Sequence, residues 1–102
     1  MAQNRGELQE LLEDIMGSKS VYFQPPENTK ISYPCIVYAL DYGITKFADN
    51  SPYRFSKRYQ LILITLDPDD PAFEKLVTLP ACTYQRHYIS DNLHHYSFNL
   101  FF

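Results

Sequence analysis

The hydrophobic pattern near the start of the chain predicts an amphipathic helix. Over residues 4–18 the apolar side chains recur three and four positions apart, which collects them on one helical face. Asn4 and Glu7 have the spacing of a capping box, and Gly17 follows the last apolar residue, where a helix commonly ends. The apolar face consists of Leu8, Leu11, Leu12, Ile15 and Met16.

A second, shorter helix is predicted within residues 67–80. Either Asp67-Pro68 or Asp70-Pro71 can supply an N-cap followed by proline in the first turn. The acids at this helix start are explained by capping and by the helix dipole. The stretch lacks the glycine and the distal glutamate of an EF-hand loop, so we expect no Ca²⁺ or Mg²⁺ site there.

Five further stretches have the composition and spacing of β-strands. They are residues 20–23, 33–42, 53–66, 81–89 and 94–102. The segments 24–32 and 43–52 are predicted as loops because they contain Pro-Pro, Asp-Asn and Ser-Pro, and residues 90–92 as a short hairpin loop. The order α-β-β-β-α-β-β predicts an α+β fold with a mainly antiparallel β-sheet of about four to five strands flanked by two helices.

The second predicted strand is apolar on both sides. Cys35 and Val37 share one face, whereas Ile36 and Tyr38 share the other. A strand of this kind is expected inside a sheet with both faces covered. Such cover requires either helices on opposite sides of the sheet or a partner subunit.

Length and charge narrow the class of protein. We treat residues 1–102 as a single domain, because this length suits one modest core. The net charge of -3 and the pI of about 5.5 argue against a dedicated nucleic-acid binder. The longest apolar run is too short to span a bilayer, and the first ten residues lack the apolar core of a signal peptide. We therefore expect a protein that is made and folded in the cytoplasm.

Histidines near the end of the chain raise the question of a metal site. His94 and His95 are adjacent on a strand and point to opposite faces, whereas His87 could meet one of them across the hairpin. Asp91 and Cys82 are nearby but do not complete a regular ligand spacing. We therefore expect surface or interface histidines and no bound metal or cofactor.

The two cysteines, Cys35 and Cys82, lie inside apolar runs without CxxC spacing. Catalytic thiols need an activating environment, such as a helix N-terminus or neighbouring cations. The pattern instead favours two buried, reduced thiols. Because the chain also has too few glycines for a phosphate-binding loop, we expect no enzymatic activity.

The segment 53–60 alternates aromatic with basic residues, as a nucleic-acid stacking platform does. Its aromatic residues share a face with Leu61 and Leu63, which suits the core, whereas Arg54 and Arg58 point the other way. We therefore favour a solvated or inter-subunit charged face over a base-stacking surface.

The chain ends on an apolar stretch in which Phe98 and Leu100 can face the core. Phe101 lies on the opposite face and needs a cover. Spare apolar surface on a small aromatic-rich domain is typical of an assembly subunit.

Several short motifs follow one another from Val21 to the end of the chain. They are VYFQPP, YPCIVY, the ADNSPY loop before a long strand, TLDPDDP and DNLHH. In this order they resemble the small tail-completion proteins of long-tailed bacteriophages and prophages of Gram-positive hosts. That family belongs to the tail terminator and tail-to-head joining proteins.

The resemblance implies a structural protein of the virion that needs no cofactor. Such proteins form a ring, commonly hexameric, that caps the head-proximal end of the tail tube, ends tail polymerisation and joins the tail to the head connector. The implied partners are further copies of the chain, the tail tube protein and the head connector protein. DNA would pass through the ring without sequence-specific binding. The expected location is the phage tail or neck, and the host cytoplasm during assembly, with no membrane contact.

The expected ring interface combines the basic half of the third strand with the loop before it and the end of the chain. Its residues are Phe47, Asp49, Asn50, Arg54, Lys57, Arg58 and Phe101. Three alternatives stay open: another neck or head-closure subunit, a non-viral protein- or RNA-binding module, and a small enzyme that uses Cys82 or a histidine. Ring size would separate the first, and salt-sensitive nucleic-acid binding would support the second.

Overall fold

The computed structural model describes residues 5–48 and 51–102, and the side chains of residues 5–41 and 57–102. The described elements are α1 (Arg5–Met16), β1 (Val21–Phe23), β2 (Cys35–Ala48), β3 (Ser51–Thr65), α2 (Pro71–Val77), β4 (Cys82–Ser90) and β5 (Leu93–Phe101). The strands form one sheet in the order β1-β2-β3-β5-β4. β1 and β2 pair in parallel, and the other neighbours pair antiparallel. The predicted α+β class, with a mainly antiparallel sheet and two helices, is confirmed.

Local sequence signals determine where the helices begin and end. α1 ends at Met16 and is followed by Gly17, whose φ of 68° is a left-handed conformation that glycine adopts without strain. α2 begins at Pro71, after Asp70, whose carboxylate accepts a hydrogen bond from the amide of Ala72 at 2.9 Å. The predicted capping residue Asn4 lies outside the described residues. Among the described residues, neither helix is long and apolar enough to span a bilayer.

Both helices pack on one face of the sheet, which we call the helix face. The core between the helices and this face consists of Leu8, Leu12, Val21, Ile36, Tyr38, Tyr59, Leu61, Leu63, Ala72, Leu76, Phe98 and Leu100. The strand residues in this core all point to the helix face, because every second side chain of a strand points to the same side. Each fully buried large apolar side chain contributes about 1.5–3 kcal/mol. The prediction that Phe98 and Leu100 of the last strand face the core is confirmed.

The opposite side of the sheet, which we call the open face, has no helix over it in the described part of the chain. The connection from β1 to β2, residues 24–34, reaches this side beside β1, where the amide of Ser32 donates to the hydroxyl of Tyr22 at 3.2 Å. On the same side, Val37, which pairs with Tyr22 of β1, and Ile62 of β3 are only partly buried. Helices on opposite sides therefore do not cover β2, and cover by a partner subunit stays a prediction.

The loop predicted over residues 43–52 is wrong, because most of this segment is strand. β2 continues to Ala48, β3 begins at Ser51, and these two residues form the last pair of the ladder. Gly43 and Pro52 favour a loop when the local sequence alone is considered. Hydrogen bonding between two adjacent strands satisfies the backbone and outweighs that local preference.

Candidate functional site: a projecting ribbon, its base and two histidines

β2 and β3 extend beyond the rest of the sheet as a two-stranded ribbon, defined here as residues 43–48 and 51–57. β1 pairs with β2 only as far as Tyr38, and β5 pairs with β3 only from Arg58 onward. Six or seven residues of extended strand measure about 20 Å. The ribbon thus contributes much of the long dimension of a molecule that measures 50 × 25 × 23 Å. In the described part of the chain, no third strand pairs with it.

Three of the predicted interface residues lie together at the base of the ribbon. Arg58 pairs in register with Phe101, and the carbonyl of Lys57 accepts a hydrogen bond from the amide of Phe102 at 3.0 Å. The guanidinium of Arg58 also forms an ion pair with the carboxylate of Asp41 at 2.7 Å. The structure therefore brings Lys57, Arg58 and Phe101 to one end of the sheet, where each side chain is partly exposed.

Asp41 is a residue of this site that sequence reasoning missed. The ladder shifts register between Leu40 and Tyr42, so Asp41 has no directly opposite partner in β3 and its carboxylate reaches Arg58. Both side chains are partly exposed, and a pair of this kind contributes about 0.2–1 kcal/mol. The positive charge of Arg58 is therefore partly neutralised within the chain.

The side chains of the other four predicted interface residues lie outside the described part of the chain. Asp49 and Asn50 lie outside the described residues. Phe47 and Arg54 have described backbone positions only, with Phe47 opposite Pro52 in the ladder. Their contacts with a neighbouring subunit stay a prediction.

His87 and His94 meet across the hairpin of β4 and β5. Nε2 of His87 lies 2.9 Å from Nδ1 of His94, and the planes of the two rings differ by 13°. Because a hydrogen bond needs one donor and one acceptor, one of these nitrogens carries a proton and the other a free lone pair. The ring of Tyr96 lies parallel to that of His87, with 4.7 Å between centroids. The expectation that His87 could meet a second histidine is confirmed.

His95 lies on the open face, as alternation along a strand predicts. Its Nδ1 donates to the carbonyl of Leu93 at 3.0 Å, and its ring stacks on Tyr88 with 4.8 Å between centroids. Across residues 5–48 and 51–102, no group of three or more His, Cys, Asp or Glu side chains is arranged to hold a metal ion. His95 is thus separated from the other two histidines by the sheet itself.

Neither thiol has the surroundings of a nucleophile. Cys35 is fully buried, whereas Cys82 is only partly buried, and both are free. Burial raises the pKa of each thiol to about 11. Both side chains are therefore protonated near neutral pH, and a protonated thiol is a poor nucleophile. The predicted burial holds for Cys35 and only in part for Cys82.

The acids between β3 and α2 are used to shape the backbone. Asp67 accepts a hydrogen bond from the amide of Asp69 at 2.9 Å, and its own amide donates to the hydroxyl of Thr65 at 3.1 Å. Asp70 is the N-cap of α2. Of the two predicted caps, Asp70-Pro71 is the one that starts the helix, and Asp67 instead stabilises the turn before it.

A row of uncharged polar side chains crosses the open face. Gln60 donates to the hydroxyl of Ser97 at 3.5 Å, and Ser97 donates to the side-chain oxygen of Gln85 at 3.2 Å. Gln85 is the extra residue at a register shift between Tyr84 and Arg86. The row joins β3, β5 and β4, and sequence analysis did not reveal it because the register shift changes which residues share a face.

Comparison of the chain with known protein families, with curated proteins and with solved structures found no match. The function is therefore inferred from the ribbon, its base, the two faces of the sheet and the motifs of the sequence.

Proposed function

We propose that this chain is a structural protein of a long-tailed bacteriophage virion and forms a hexameric ring at the head-proximal end of the tail tube. The ring would end tail polymerisation and join the tail to the head connector. The motifs from Val21 onward suggest this role, and the shape of the molecule suggests how a subunit would contact its neighbours.

The ribbon is the observation that carries the proposal. A two-stranded ribbon standing alone in water is marginally stable, and its open edges are able to pair with another chain. A ribbon of about 20 Å that leaves the body of its own molecule can reach the adjacent subunit. The base, with Lys57 and Arg58, would lie at the margin of that contact.

The open face supports the same proposal. A head-to-tail contact joins two different surfaces of identical subunits, and it closes into a ring when the rotation between subunits allows. The ribbon of one copy and a surface elsewhere on the next copy provide two different surfaces of this kind. Val37, Ile62 and Phe101 remain partly exposed on the open face and would gain cover in such an assembly. The net charge of -3 suits a channel through which DNA slides without binding.

The native mass of the purified chain, alone and mixed with tail tubes, tests the proposal, followed by electron microscopy of the mixture. A ring of six subunits, or a sixfold cap at one tube end, is the expected result. A ring of twelve would instead favour a neck or head-closure subunit. A chain that stays monomeric and leaves the tubes uncapped would contradict both roles.

A charge reversal at the ribbon provides a sharper test. The double variant Arg54→Glu and Lys57→Glu should prevent tail completion while the monomer remains folded by circular dichroism. Arg58 is left unchanged because it pairs with Asp41 inside the chain. The matched control reverses Lys19 and Lys30, two exposed lysines outside the ribbon. Normal tails from the ribbon variant would rule out the ribbon as the contact.

A further inference from the structure

We propose that His87 and His94 form a chelating site for a divalent transition-metal ion such as Zn²⁺. The two imidazoles would supply two ligands, and water would complete the coordination. The site lies on the β4–β5 hairpin and is independent of the ring proposed above. Imidazole is a preferred ligand of zinc, copper and nickel.

The spacing of the two nitrogens is close to what one ion requires. Two imidazole nitrogens bound to a tetrahedral zinc ion at about 2.0–2.1 Å lie roughly 3.4 Å apart. Nε2 of His87 and Nδ1 of His94 are 2.9 Å apart, so a separation of about 0.5 Å suffices. In the hydrogen bond the two nitrogens face each other, so each ring would also turn by roughly 35° about its side-chain bonds for both lone pairs to meet at the ion.

The proton between the rings has a simple destination when the ion binds. In the neutral pair, one facing nitrogen carries a proton and the other a lone pair. The protonated ring transfers that proton, through water, to its outward nitrogen, which leaves two lone pairs for the ion. The binding of Zn²⁺ to the neutral pair therefore needs no net release of protons.

The hairpin holds the two rings in place before any ion arrives. His87 pairs in register with Tyr96, and His94 pairs with Ile89, so both ligands sit on hydrogen-bonded strands. The ring of Tyr96 lies parallel to both imidazoles, at 4.7 Å from His87 and 6.2 Å from His94 between centroids. A site with ordered ligands binds more tightly because less side-chain freedom is lost.

Access and charge also favour a cation at this position. His87 is exposed and His94 is partly exposed, so an ion and its waters can enter. The hydroxyl of Tyr96, whose ring stacks on His87, donates to the carbonyl of Pro68 at 3.3 Å, which places the acidic β3–α2 loop at the hydroxyl end of that tyrosine. That loop carries Asp67, Asp69 and Asp70 in a chain whose net charge is -3, and net negative charge attracts a divalent ion.

Calorimetric titration of the untagged chain with ZnCl₂ tests the inference, in a Cys82→Ser background that removes the partly exposed thiol of β4. One Zn²⁺ per chain is expected. His87→Gln and His94→Gln should each weaken binding at least tenfold, whereas the matched control His95→Gln should bind as the parent does, because His95 lies on the other face. Proton NMR of the imidazole rings should show the signals of His87 and His94 shifting together as Zn²⁺ is added.

Three outcomes would overturn the inference: no binding by the Cys82→Ser chain at millimolar Zn²⁺, unchanged binding by His87→Gln, or an equal loss in His95→Gln. Because His87 is exposed, its substitution tests the site without disturbing the core.

Discussion

The body of the molecule and the ribbon are built from the same two strands, but different contacts stabilise them. In the body, β2 and β3 have strands on both sides and helices over one face. In the described ribbon they pair only with one another. An isolated strand pair is marginal in water, whereas a sheet packed under helices is stable on its own. One pair of strands is thus stabilised by neighbouring strands and helices at one end, and by its own pairing at the other.

Substitution of Leu61 should have the largest effect on stability, because it tests the body of the molecule directly. Leu61 is fully buried beneath the helices. Leu61→Ala should lower the free energy of unfolding by about 2–5 kcal/mol, through lost burial and a residual cavity. Urea denaturation measures this loss. The control Leu66→Ala, at a side chain that is 68% exposed, should change stability by less than about 0.5 kcal/mol. Equal losses would contradict the assignment of Leu61 to the core.

The rate at which Cys82 is alkylated tests how far burial at the edge of the core shields this thiol from solvent. Burial raises the pKa of this thiol from 9.0 to about 11, so its thiolate should be about 100-fold scarcer at pH 8 than in the unfolded chain. The rate of alkylation by iodoacetamide should keep rising up to pH 10 in the native protein and level off near pH 9 in guanidinium. Peptide mass spectrometry distinguishes Cys82 from Cys35.

The same shift in the pKa of Cys82 predicts how stability depends on pH. A pKa raised in the folded state contributes stability that is present below pH 9 and is lost as the pH rises toward 11. Cys82→Ser should therefore make the decline of unfolding free energy above pH 9 shallower. An alkylation rate that levels off near pH 9 in the native protein would show that Cys82 is not desolvated.

Removal of the Tyr38 hydroxyl should have an intermediate effect. This buried hydroxyl donates to the side-chain oxygen of Gln9 at 2.5 Å, which ties α1 to β2. Tyr38→Phe should lower the free energy of unfolding by about 1 kcal/mol, because a hydrogen bond is lost while the ring still fills its place. The control Tyr33→Phe changes a hydroxyl on an exposed ring and should be nearly neutral. A neutral Tyr38→Phe would show that this bond does not hold the helix.

The smallest effect is expected at the base of the ribbon. Asp41→Asn removes the ion pair with Arg58 and should cost less than about 1 kcal/mol, with a smaller loss at high salt. Hydrogen exchange should speed up at the base of the ribbon and stay unchanged beneath the helices. The control Glu27→Gln alters an exposed carboxylate in the β1–β2 connection and should change neither. Faster exchange throughout the sheet would mean that the ribbon and the body unfold together.

Sequence patterns predicted the parts of the fold that depend on neighbouring residues. The end of α1 just before Gly17 and the start of α2 just after Asp70 follow from backbone geometry and capping within one turn. Asp91 and Asn92, both with positive φ, form the short loop between β4 and β5, as residues of this type commonly do. Each of these signals operates within a few positions of the chain.

The ribbon and its ion pair depend on residues farther apart, which explains why they were missed. Gly43 and Pro52 resemble loop residues until each is paired with the opposite strand. Asp41 reaches Arg58 because of a register shift that strict alternation does not predict. The sequence predicts that His87 can meet another histidine across the hairpin, but its distance from His94 depends on how β4 and β5 align.

The extra residue in β4 also bears on how the chain tolerates insertion and deletion. Gln85 is accommodated at the register shift, so Tyr84 before it and His87 after it both point toward the helix face. A chain without Gln85 would have a regular strand with the same residues on each side, and would lose only the acceptor for Ser97. The insertion or deletion of one residue at this position therefore changes the fold very little. Natural variants of the chain are expected to differ in length here sooner than elsewhere in the sheet.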